Sequence, residues 1–293
     1  MHLPHMHFPH LRLPTRRLAA ATTMAAALLS ACATPEPVGP PRKETVFAVT
    51  DTAELIRFNA GQPQRVLARQ PLQGLTAGDK LVGIDYRVAR GVLFALAASG
   101  RLYTVDTATG VLQPVAAAPA ATLQGDTVGI NFNPVADRIR VVTDTGQNLR
   151  LHPDTGALAA TDPALAYAAG DARHGQAPRL AAAAYTYNKH NDKLTTNYAI
   201  DRAAGTLVTQ GSVEGVAPVV SPNTGLLRSV GPLGTGPVDA AALDIADTDN
   251  TALAALRQGG RTRLHLVNLA TGATTLLGTV GDGRALWGMA IEP

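Results

Sequence analysis

The fold is decided by the stretch GINFNPVADRIRVVTDTGQNLRLHPDTG, residues 129–156. Its last part, LRLHPDTG at residues 149–156, has alternating apolar side chains followed by a polar turn that closes on Gly156. A period of two is typical of a strand with one buried face, and Asp followed by Gly is typical of a chain reversal. The first four residues, GINF, form a separate short motif. The stretch therefore predicts an inner strand and, after it, a β-hairpin.

The hairpin motif recurs along the chain as an internal repeat. Close copies are LYTVDTATG at residues 102–110 and LHLVNLATG at residues 264–272, and weaker copies occur at residues 55–61 and 223–227. The turn glycines lie at positions 61, 110, 156, 225 and 272, so their separations are 49, 46, 69 and 47 residues. Four-stranded propeller blades repeat every ~40–50 residues. The spacing therefore predicts five blades.

The one long interval predicts an insertion near the fourth copy. Residues 166–178 are irregular, and residues 212–222 are rich in loop-forming residues. A further hairpin of similar sequence, YAIDRAAGTL at residues 198–207, lies inside the same interval. The sequence alone therefore leaves the assignment of strands between residues 166 and 225 open.

The GINF motif also recurs, each time ahead of a hairpin. Similar tetrapeptides occur at residues 83–86, 129–132, 242–245 and 288–291, with AYTY at residues 184–187 as the remaining member. The copy at residues 288–291 is the last strand of the chain, whereas the first hairpin, residues 45–70, has no copy before it. We therefore expect the last strand to complete the first blade, which closes the ring and removes free sheet edges.

These patterns together predict an all-β fold, a β-propeller of five four-stranded blades closed by the C-terminal strand. A β-sandwich and a linear β-solenoid are the alternatives. A solenoid has shorter and stricter repeats, and a sandwich is not expected to repeat at the period of a blade. The period therefore favours the propeller.

The N-terminal leader has the pattern of an export signal. The first 31 residues contain three arginines and no acidic residue, and residues 18–29 form an apolar run. A membrane-spanning helix needs about 20 apolar residues, so this run is too short for one. The run ends in LSAC at residues 29–32, which resembles the bacterial lipobox. The sequence predicts a lipoprotein signal peptide over residues 1–31 and a lipidated Cys32; the alternative is ordinary secretion with cleavage near Ala31.

The rest of the chain divides into a linker and one domain. Residues 32–43 are rich in proline, which is typical of a linker that holds a domain away from a surface. Residues 44–293 are sufficient for a single all-β domain with its own core. Acyl chains on Cys32 would anchor the chain to a membrane. Because Ala33 rather than Asp follows the cysteine, the pattern resembles that for outer-membrane sorting. The predicted localisation is thus exported and lipid-anchored to the cell envelope, at the outer membrane.

The charge balance argues against nucleic-acid binding. The leader holds three of the 25 basic residues and none of the 22 acidic ones, so the remaining chain has no formal net charge. Nucleic-acid binding needs a concentrated basic face. With Cys32 acylated, no thiol remains, because it is the single cysteine of the sequence. A disulfide and a sulfur-ligated metal are therefore not expected.

The motifs at residues 129–156 closely resemble the signature of a bacterial family known only as domain of unknown function 4394. Further matches to that signature are residues 81–86, 100–106 and 184–188, and the resemblance covers residues 80–293. It implies an exported bacterial protein with a propeller-like fold. It implies no activity, and it brings no functional residues to this chain.

The predicted inner strands carry the candidate site. On each motif one polar residue lies between two apolar ones and so faces the opposite side. Around a propeller axis these residues would line or approach the channel together, with Ala290 at the fifth position; they are Asp85, Asn131, Thr186 and Asp244. Two carboxylates and two neutral oxygens could hold Ca²⁺, with water completing the shell. The alternative is that these side chains hydrogen-bond neighbouring backbone groups and water.

Other polar residues have simpler explanations. Arg138 and Arg140 lie on one face of a strand, where pairing with Asp137 or Asp144 is expected. The single tryptophan, Trp287, is expected in the core. The sequence contains no nucleophile elbow, phosphate-binding loop, His-Glu-Xaa-Xaa-His motif or CxxC motif.

These observations leave two functional hypotheses. The first is a ligand- or partner-binding propeller, or scaffold, that holds a small molecule or an envelope protein over the channel mouth, with no catalytic residues and no cofactor. The second is a carbohydrate- or lactone-active enzyme with a cation in the channel, in which Asp85 or Asp244 acts as acid, base or ligand. Metal analysis and melting with and without a chelator would separate them.

Overall fold

The computed structural model describes residues 1–2, 4–5, 36 and 38–293. The chain separates into two units, residues 1–35 and 36–293. The four described residues of the first unit form no helix or strand, and Cys32 lies outside the described residues, as does most of the predicted signal peptide. No helix in the part of the chain that the structure describes has the length and hydrophobicity to span a membrane.

The second unit is built from five antiparallel sheets, which we number as blades in chain order. Blade 1 contains β1 (Thr45–Thr50), β2 (Glu54–Asn59), β3 (Val66–Pro71) and the last strand, β21 (Leu286–Ile291). Blade 2 contains β4 (Leu81–Arg87), β5 (Val92–Ala97), β6 (Leu102–Val105) and β7 (Leu112–Pro114). Blade 3 contains β8 (Val128–Asn133), β9 (Arg138–Thr143), β10 (Asn148–Leu151) and β11 (Leu158–Thr161).

Blades 4 and 5 complete the ring. Blade 4 contains β12 (Ala166–Tyr167), β13 (Leu180–Tyr185), β14 (Asn197–Asp201), β15 (Thr206–Gln210) and β16 (Leu226–Pro232). Blade 5 contains β17 (Ala240–Ile245), β18 (Ala252–Gln258), β19 (Arg261–Val267) and β20 (Thr274–Thr279). Two short 3₁₀ turns, Val88–Arg90 and Pro222–Thr224, are the helical elements of the described residues. The predicted five-bladed β-propeller is thus confirmed.

The C-terminal strand closes the ring as predicted. β21 pairs antiparallel with β1, with Val46 opposite Ile291 and Val49 opposite Gly288. It occupies the innermost position of blade 1, and it contacts the inner strands of blades 2 and 5, β4 and β17. The first blade therefore combines both ends of the domain, so the two flanking blades each find a partner.

The five inner strands pack closely around the axis. Three consecutive residues of each strand line the central passage, which has a cavity volume of only about 20 Å³. That is room for little more than one water molecule. A Cβ atom at Gly83 would lie 2.0 Å from Cγ2 of Ile130, and one at Gly288 would lie 2.7 Å from the backbone N of Ile84. At these two positions glycine is thus required by the close approach of neighbouring strands.

The repeated turn glycines mark contacts between neighbouring blades. A Cβ at Gly110 of blade 2 would lie 2.5 Å from the carbonyl oxygen of Pro71, at the end of blade 1. A Cβ at Gly272 of blade 5 would lie 2.3 Å from the carbonyl oxygen of Gly231, in the last strand of blade 4. Both glycines also have a positive φ, 77° and 78°. The repeat therefore reflects a turn that must touch the preceding blade.

Blade 1 has a different partner at this position, the segment that precedes its first strand. A Cβ at Gly61 would lie 2.0 Å from the carbonyl oxygen of Pro40. Glu36 and residues 38–43, which we name the strap, lie against blades 5 and 1. This part of the predicted linker is therefore docked on the propeller.

Blade 4 contains the insertion and a shift of register. The short strand β12 adds a parallel fifth strand beside β16, and the hairpin at residues 198–207 is β14 and β15. Residues 181–183 line the central passage in blade 4, as residues 82–84 do in blade 2. The tetrapeptide equivalent to residues 83–86 is therefore 182–185. The predicted motif at residues 184–187 is two residues too late. A run of four alanines at 181–184 carries no alternation that would fix the register.

Candidate functional site

The ring position next to the passage holds Asp85, Asn131 and Asp244, with Ala184 and Ala290 completing it. All five residues are buried. Thr186, predicted as the fourth member, lies just beyond the end of β13. Its Oγ1 accepts a hydrogen bond from the backbone N–H of Thr196 at 2.8 Å and donates to Glu214 at 3.4 Å. The structure therefore groups three of the four predicted residues and gives Thr186 a separate role within blade 4.

Each of the three grouped side chains links its own blade to the next blade. Asp85 Oδ2 accepts from the backbone N–H of Phe132 at 2.6 Å, which joins blade 2 to blade 3. Asn131 Oδ1 accepts from Tyr185 at 2.8 Å, which joins blade 3 to blade 4. Asp244 Oδ2 accepts from Ile291 at 2.6 Å, which joins blade 5 to blade 1. These contacts match the backbone-bonding alternative considered for the candidate cation ligands.

The link between blades 4 and 5 uses a different residue, because Ala184 has no polar group to offer. Asn250, in the turn between β17 and β18, binds both backbone groups of Tyr187. Its Oδ1 accepts from the N–H at 2.7 Å, and its Nδ2 donates to the carbonyl at 3.0 Å. Asn250 has a positive φ of 60°, which asparagine tolerates better than most residues. The sequence did not single out this residue.

The two axial carboxylates have unusual electrostatics. Burial, and secondly the negative charge of Asp244, raises the pKa of Asp85 well above its ordinary value. Burial raises the pKa of Asp244 to about 7, against the opposing effect of backbone hydrogen bonds from Ile291 and Ile245 and of the Asn131 side chain. Within the described residues neither carboxylate forms a salt bridge with a basic side chain. The pair therefore holds a proton more readily than ordinary aspartates do.

Tyr187 covers this pair at one end of the passage. Burial, together with the negative charges of Asp85 and Asp244, raises the pKa of its hydroxyl group. The hydroxyl group therefore stays protonated and can donate a hydrogen bond near the two carboxylates. Tyr187 also forms one wall of a neighbouring cleft.

The cleft, which we name the mouth cleft, has a volume of about 380 Å³. It lies where the inner strands β4 and β8 end, and its walls come from the turn Arg87–Arg90, residues 132–134, Asp137 and Tyr187. Arg87 is fixed by a 2.8 Å bond from Nε to Asp137 Oδ1 and by a bond to Asp154. These hydrogen bonds raise the pKa of the Arg87 guanidinium further above its ordinary value. Arg90 is exposed at the rim.

A second polar network lies between blades 3 and 4. Arg140 is 1% exposed, and its guanidinium group donates to Asp162 at 2.7 Å and to the Tyr185 hydroxyl group at 3.1 Å. It also donates to the side chains of Asn148 and Asn223. The predicted pairing of Arg140 with Asp137 or Asp144 is wrong, because those carboxylates bind Arg87 and Arg202 instead. Asp162 lies on the outer side of the same blade, where sequence alternation gave no indication of it.

Metal ligands are sparse in this part of the molecule. Across residues 38–293 and the few described before them, no group of three or more His, Cys, Asp or Glu side chains is arranged to hold a metal ion.

Trp287 is half-buried, packs against the apolar cluster between blades 1 and 2, and lines the opposite mouth of the passage. It therefore combines a core role with partial access to solvent.

The closed ring of five sheets around a sealed axis makes this chain a five-bladed β-propeller protein. Next to its axis, where many propellers have an open channel, side-chain hydrogen bonds link neighbouring blades. The chain belongs to the domain of unknown function 4394 family, whose model matches residues 54–290. The match confirms the resemblance seen in the sequence motifs. No curated protein matches this sequence.

Several solved structures are similar in outline. One is in the nidogen/laminin complex, with 10% identity, 85% of this chain and 98% of that chain covered, and a TM-score of 0.44. A protein of unknown function from Bacteroides thetaiotaomicron has 10% identity, coverages of 78% and 56%, and a TM-score of 0.47. Glutaminyl cyclase from Myxococcus xanthus has 12% identity, coverages of 80% and 100%, and a TM-score of 0.45. The propeller assignment rests on the sheet topology, and none of these likenesses bears on function.

Proposed function

We propose that this protein is an exported, lipid-anchored propeller that binds a small molecule in the mouth cleft. The observation that carries the proposal is the cleft itself, which is about 380 Å³ in volume and lies where the inner strands β4 and β8 end. Binding sites for small molecules have volumes of ~300–1,000 Å³ and combine apolar walls with a few placed polar groups. The position, on turns at one end of a rigid ring, is also typical of binding sites.

The cleft favours a ligand with an apolar body and an anionic group. Val88, Phe132 and Pro134 provide apolar contact area, and the Tyr187 ring adds an aromatic wall. Arg87 is already neutralised by Asp137 and Asp154, whereas Arg90 at the rim has no such ion pair among the described residues. A guanidinium group at the rim suits a carboxylate on the ligand.

The anchoring half of the proposal comes from the leader. The apolar run and the LSAC sequence at residues 29–32 favour lipidation at Cys32, and the membrane would then be a permanent partner. Acyl chains at this position would keep the propeller at the envelope, with the outer membrane as the expected location. The mass of the N-terminal peptide from purified protein tests this part directly.

Benzoate is a suitable probe for the cleft, because it combines a flat apolar ring with a carboxylate. In NMR titrations of the leaderless protein we expect saturable shifts at Val88 and Tyr187. Arg90→Ala should weaken benzoate binding about tenfold, the worth of one charge-assisted contact. Arg65→Ala, which removes an exposed arginine of blade 1, is the matched control. Shifts that do not saturate would rule out the cleft as a carboxylate site. An equal loss of benzoate affinity in the two variants would rule it out as well.

The second candidate function is an enzyme with a cation at the axis, acting on a carbohydrate or a lactone. The observation in its favour is the pair of buried carboxylates, whose charge a bound cation would neutralise in place of protons. Both oxygens of Asp244, however, already accept backbone hydrogen bonds from Ile245 and Ile291. Calcium titration of metal-free protein tests this candidate, since a bound cation raises the melting temperature.

A further inference from the structure

The strap limits the distance between the propeller and the proposed anchor at Cys32. This limit decides which side of the propeller can face the membrane. We infer that the outer edges of blades 1 and 5 face the lipid surface, so that the propeller stands on its rim. The inference rests on the proposed lipidation of Cys32. It goes further by assigning the side of the molecule that meets the membrane.

The first contact of the strap is on blade 5. Glu36 Oε2 accepts from the backbone N–H of Thr279 at 2.7 Å, and its Oε1 accepts from Nε of Arg263 at 3.3 Å. Both partners lie on the two outer strands, β19 and β20. The chain is therefore attached to the propeller from Glu36 onward.

The later contacts of the strap are on blade 1. The carbonyl of Gly39 accepts from Nε2 of Gln62 at 3.0 Å. Asn59 binds the backbone of Arg42 twice, accepting from its N–H at 2.8 Å and donating to its carbonyl at 2.6 Å. The strap thus crosses the seam between blades 5 and 1, and four of these five contacts use a backbone atom.

The docked strap shortens the tether. Only four peptide steps separate Cys32 from Glu36, and four extended residues reach at most about 14 Å. A free linker over the twelve residues 32–43 would allow about 40 Å and any orientation. The seam between blades 5 and 1 therefore stays close to the acylated residue.

The rim at this seam has the surface expected for contact with lipid. Leu67 on β3 is 60% exposed and Leu276 on β20 is 50% exposed. They lie on the outermost strands of the two blades that the strap joins. Arg65 and Arg261 nearby are exposed and form no salt bridge within the described residues. Exposed leucines and arginines together suit an interface with anionic lipid.

The propeller axis would then lie roughly along the membrane plane. The mouth cleft at one end of the axis would open sideways, clear of both the lipid and the anchor. A small molecule could reach the cleft without crossing the membrane surface, and the strap would hold this orientation.

The experiment places the full-length acylated protein in vesicles of phosphatidylethanolamine and phosphatidylglycerol that contain nitroxide-labelled lipid. A bimane fluorophore is attached to a single introduced cysteine, L276C on blade 5. The matched control is L158C, because Leu158 is also an exposed leucine on the outermost strand of a blade, blade 3. We expect quenching by the labelled lipid to be at least threefold stronger at position 276 than at position 158.

The outcomes separate the orientation from the anchor. Equal quenching at the two positions, in protein that sediments with the vesicles, overturns the orientation while the anchor survives. Protein that does not sediment with the vesicles overturns both. Glu36→Ala should bring the quenching ratio towards one without changing sedimentation, and Glu214→Ala on blade 4 should leave the ratio unchanged. An unchanged ratio in Glu36→Ala would show that the strap does not hold the orientation.

Discussion

Two buried polar networks lie between blades of this propeller, and their charges are compensated in different ways. Arg140 and Asp162 form an ion pair, in which the other donors of Arg140 are met by Tyr185 and two asparagines and Asp162 also binds Arg150. Asp85 and Asp244 are two like charges, and they meet backbone N–H groups and the Asn131 amide. In the first network the buried charges are compensated by ion pairs, whereas the second becomes neutral only by binding protons. Charge compensation therefore decides which interface is sensitive to pH.

The largest expected effect comes from breaking the paired network. Arg140→Met should lower the free energy of unfolding by about 3–5 kcal/mol, because it leaves buried acceptors on Tyr185, Asn148 and Asn223 without their donor and removes one of the two arginines that bind Asp162. Arg138→Ala, on the same strand and half-exposed, should cost less than about 1 kcal/mol. Urea unfolding monitored by circular dichroism measures both. Similar losses in the two variants would show that burial of the ion pair does not matter.

A smaller effect of opposite sign is expected from the axial pair. Asp85→Asn keeps an acceptor for the Phe132 N–H but removes one buried charge, so it should stabilise the protein at pH 8 by about 1–3 kcal/mol. At pH 4 most of the gain should be lost, since the carboxyl group is then protonated in the folded state and about half protonated in the unfolded state. Asp162→Asn, the matched change in the paired network, should destabilise at pH 8. If Asp85→Asn is instead destabilised at pH 8, the charge of Asp85 is not uncompensated in the folded protein and the prediction is wrong.

The pH dependence of the unmodified protein follows from the same groups. A carboxyl group whose folded pKa is raised holds its proton more tightly in the folded state, so stability is highest below the unfolded pKa and falls as pH rises. For Asp244, with a pKa of about 7, the loss should run from about pH 4 to about pH 7. Chemical unfolding at several pH values tests this, with Asp244→Asn as the variant that should flatten the curve.

Asn131 connects the axial pair to blade 4 and should have an intermediate effect. Asn131→Ala removes the acceptor for the Tyr185 N–H and should cost about 1–2 kcal/mol. It also removes the hydrogen bond that lowers the pKa of Asp244, so the fall in stability should extend to pH values above 7. Loss of stability without this extension would separate Asn131 from Asp244.

The smallest effect is expected from calcium. If the axial carboxylates are occupied by backbone donors and protons, a chelator should change the melting temperature by less than about 1 °C. Asp85→Asn should then respond in the same way as the unmodified protein. A larger fall that Asp85→Asn abolishes would favour the enzyme with a channel cation.

The ring itself was predictable from sequence because its determinants are local. The turn glycines repeat at the blade period, and residues 83–86, 129–132, 242–245 and 288–291 carry the same pattern. The register of β13 was not predictable, since an alanine run looks the same when it is shifted by two residues. The strap was missed for a related reason, because proline-rich composition indicates a linker whether or not its backbone is bound.

The candidate site was only partly predictable. Alternation identified Asp85, Asn131 and Asp244 as one group, because each occupies the same place in a repeated motif. The mouth cleft brings together turns of separate blades, and Asn250 reaches Tyr187 across 63 residues of sequence. Such contacts depend on the three-dimensional arrangement of the blades, and no spacing within one chain segment encodes them.

The glycines that line the axis give the molecule two independent faces. With room for about one water molecule, the passage blocks solutes from crossing the ring. The cleft beside Tyr187 and the hollow beside Trp287 therefore open to solvent separately, although they share one axis. Substitutions at one end of the axis can therefore alter the chemistry of that surface while the surface at the other end stays unchanged.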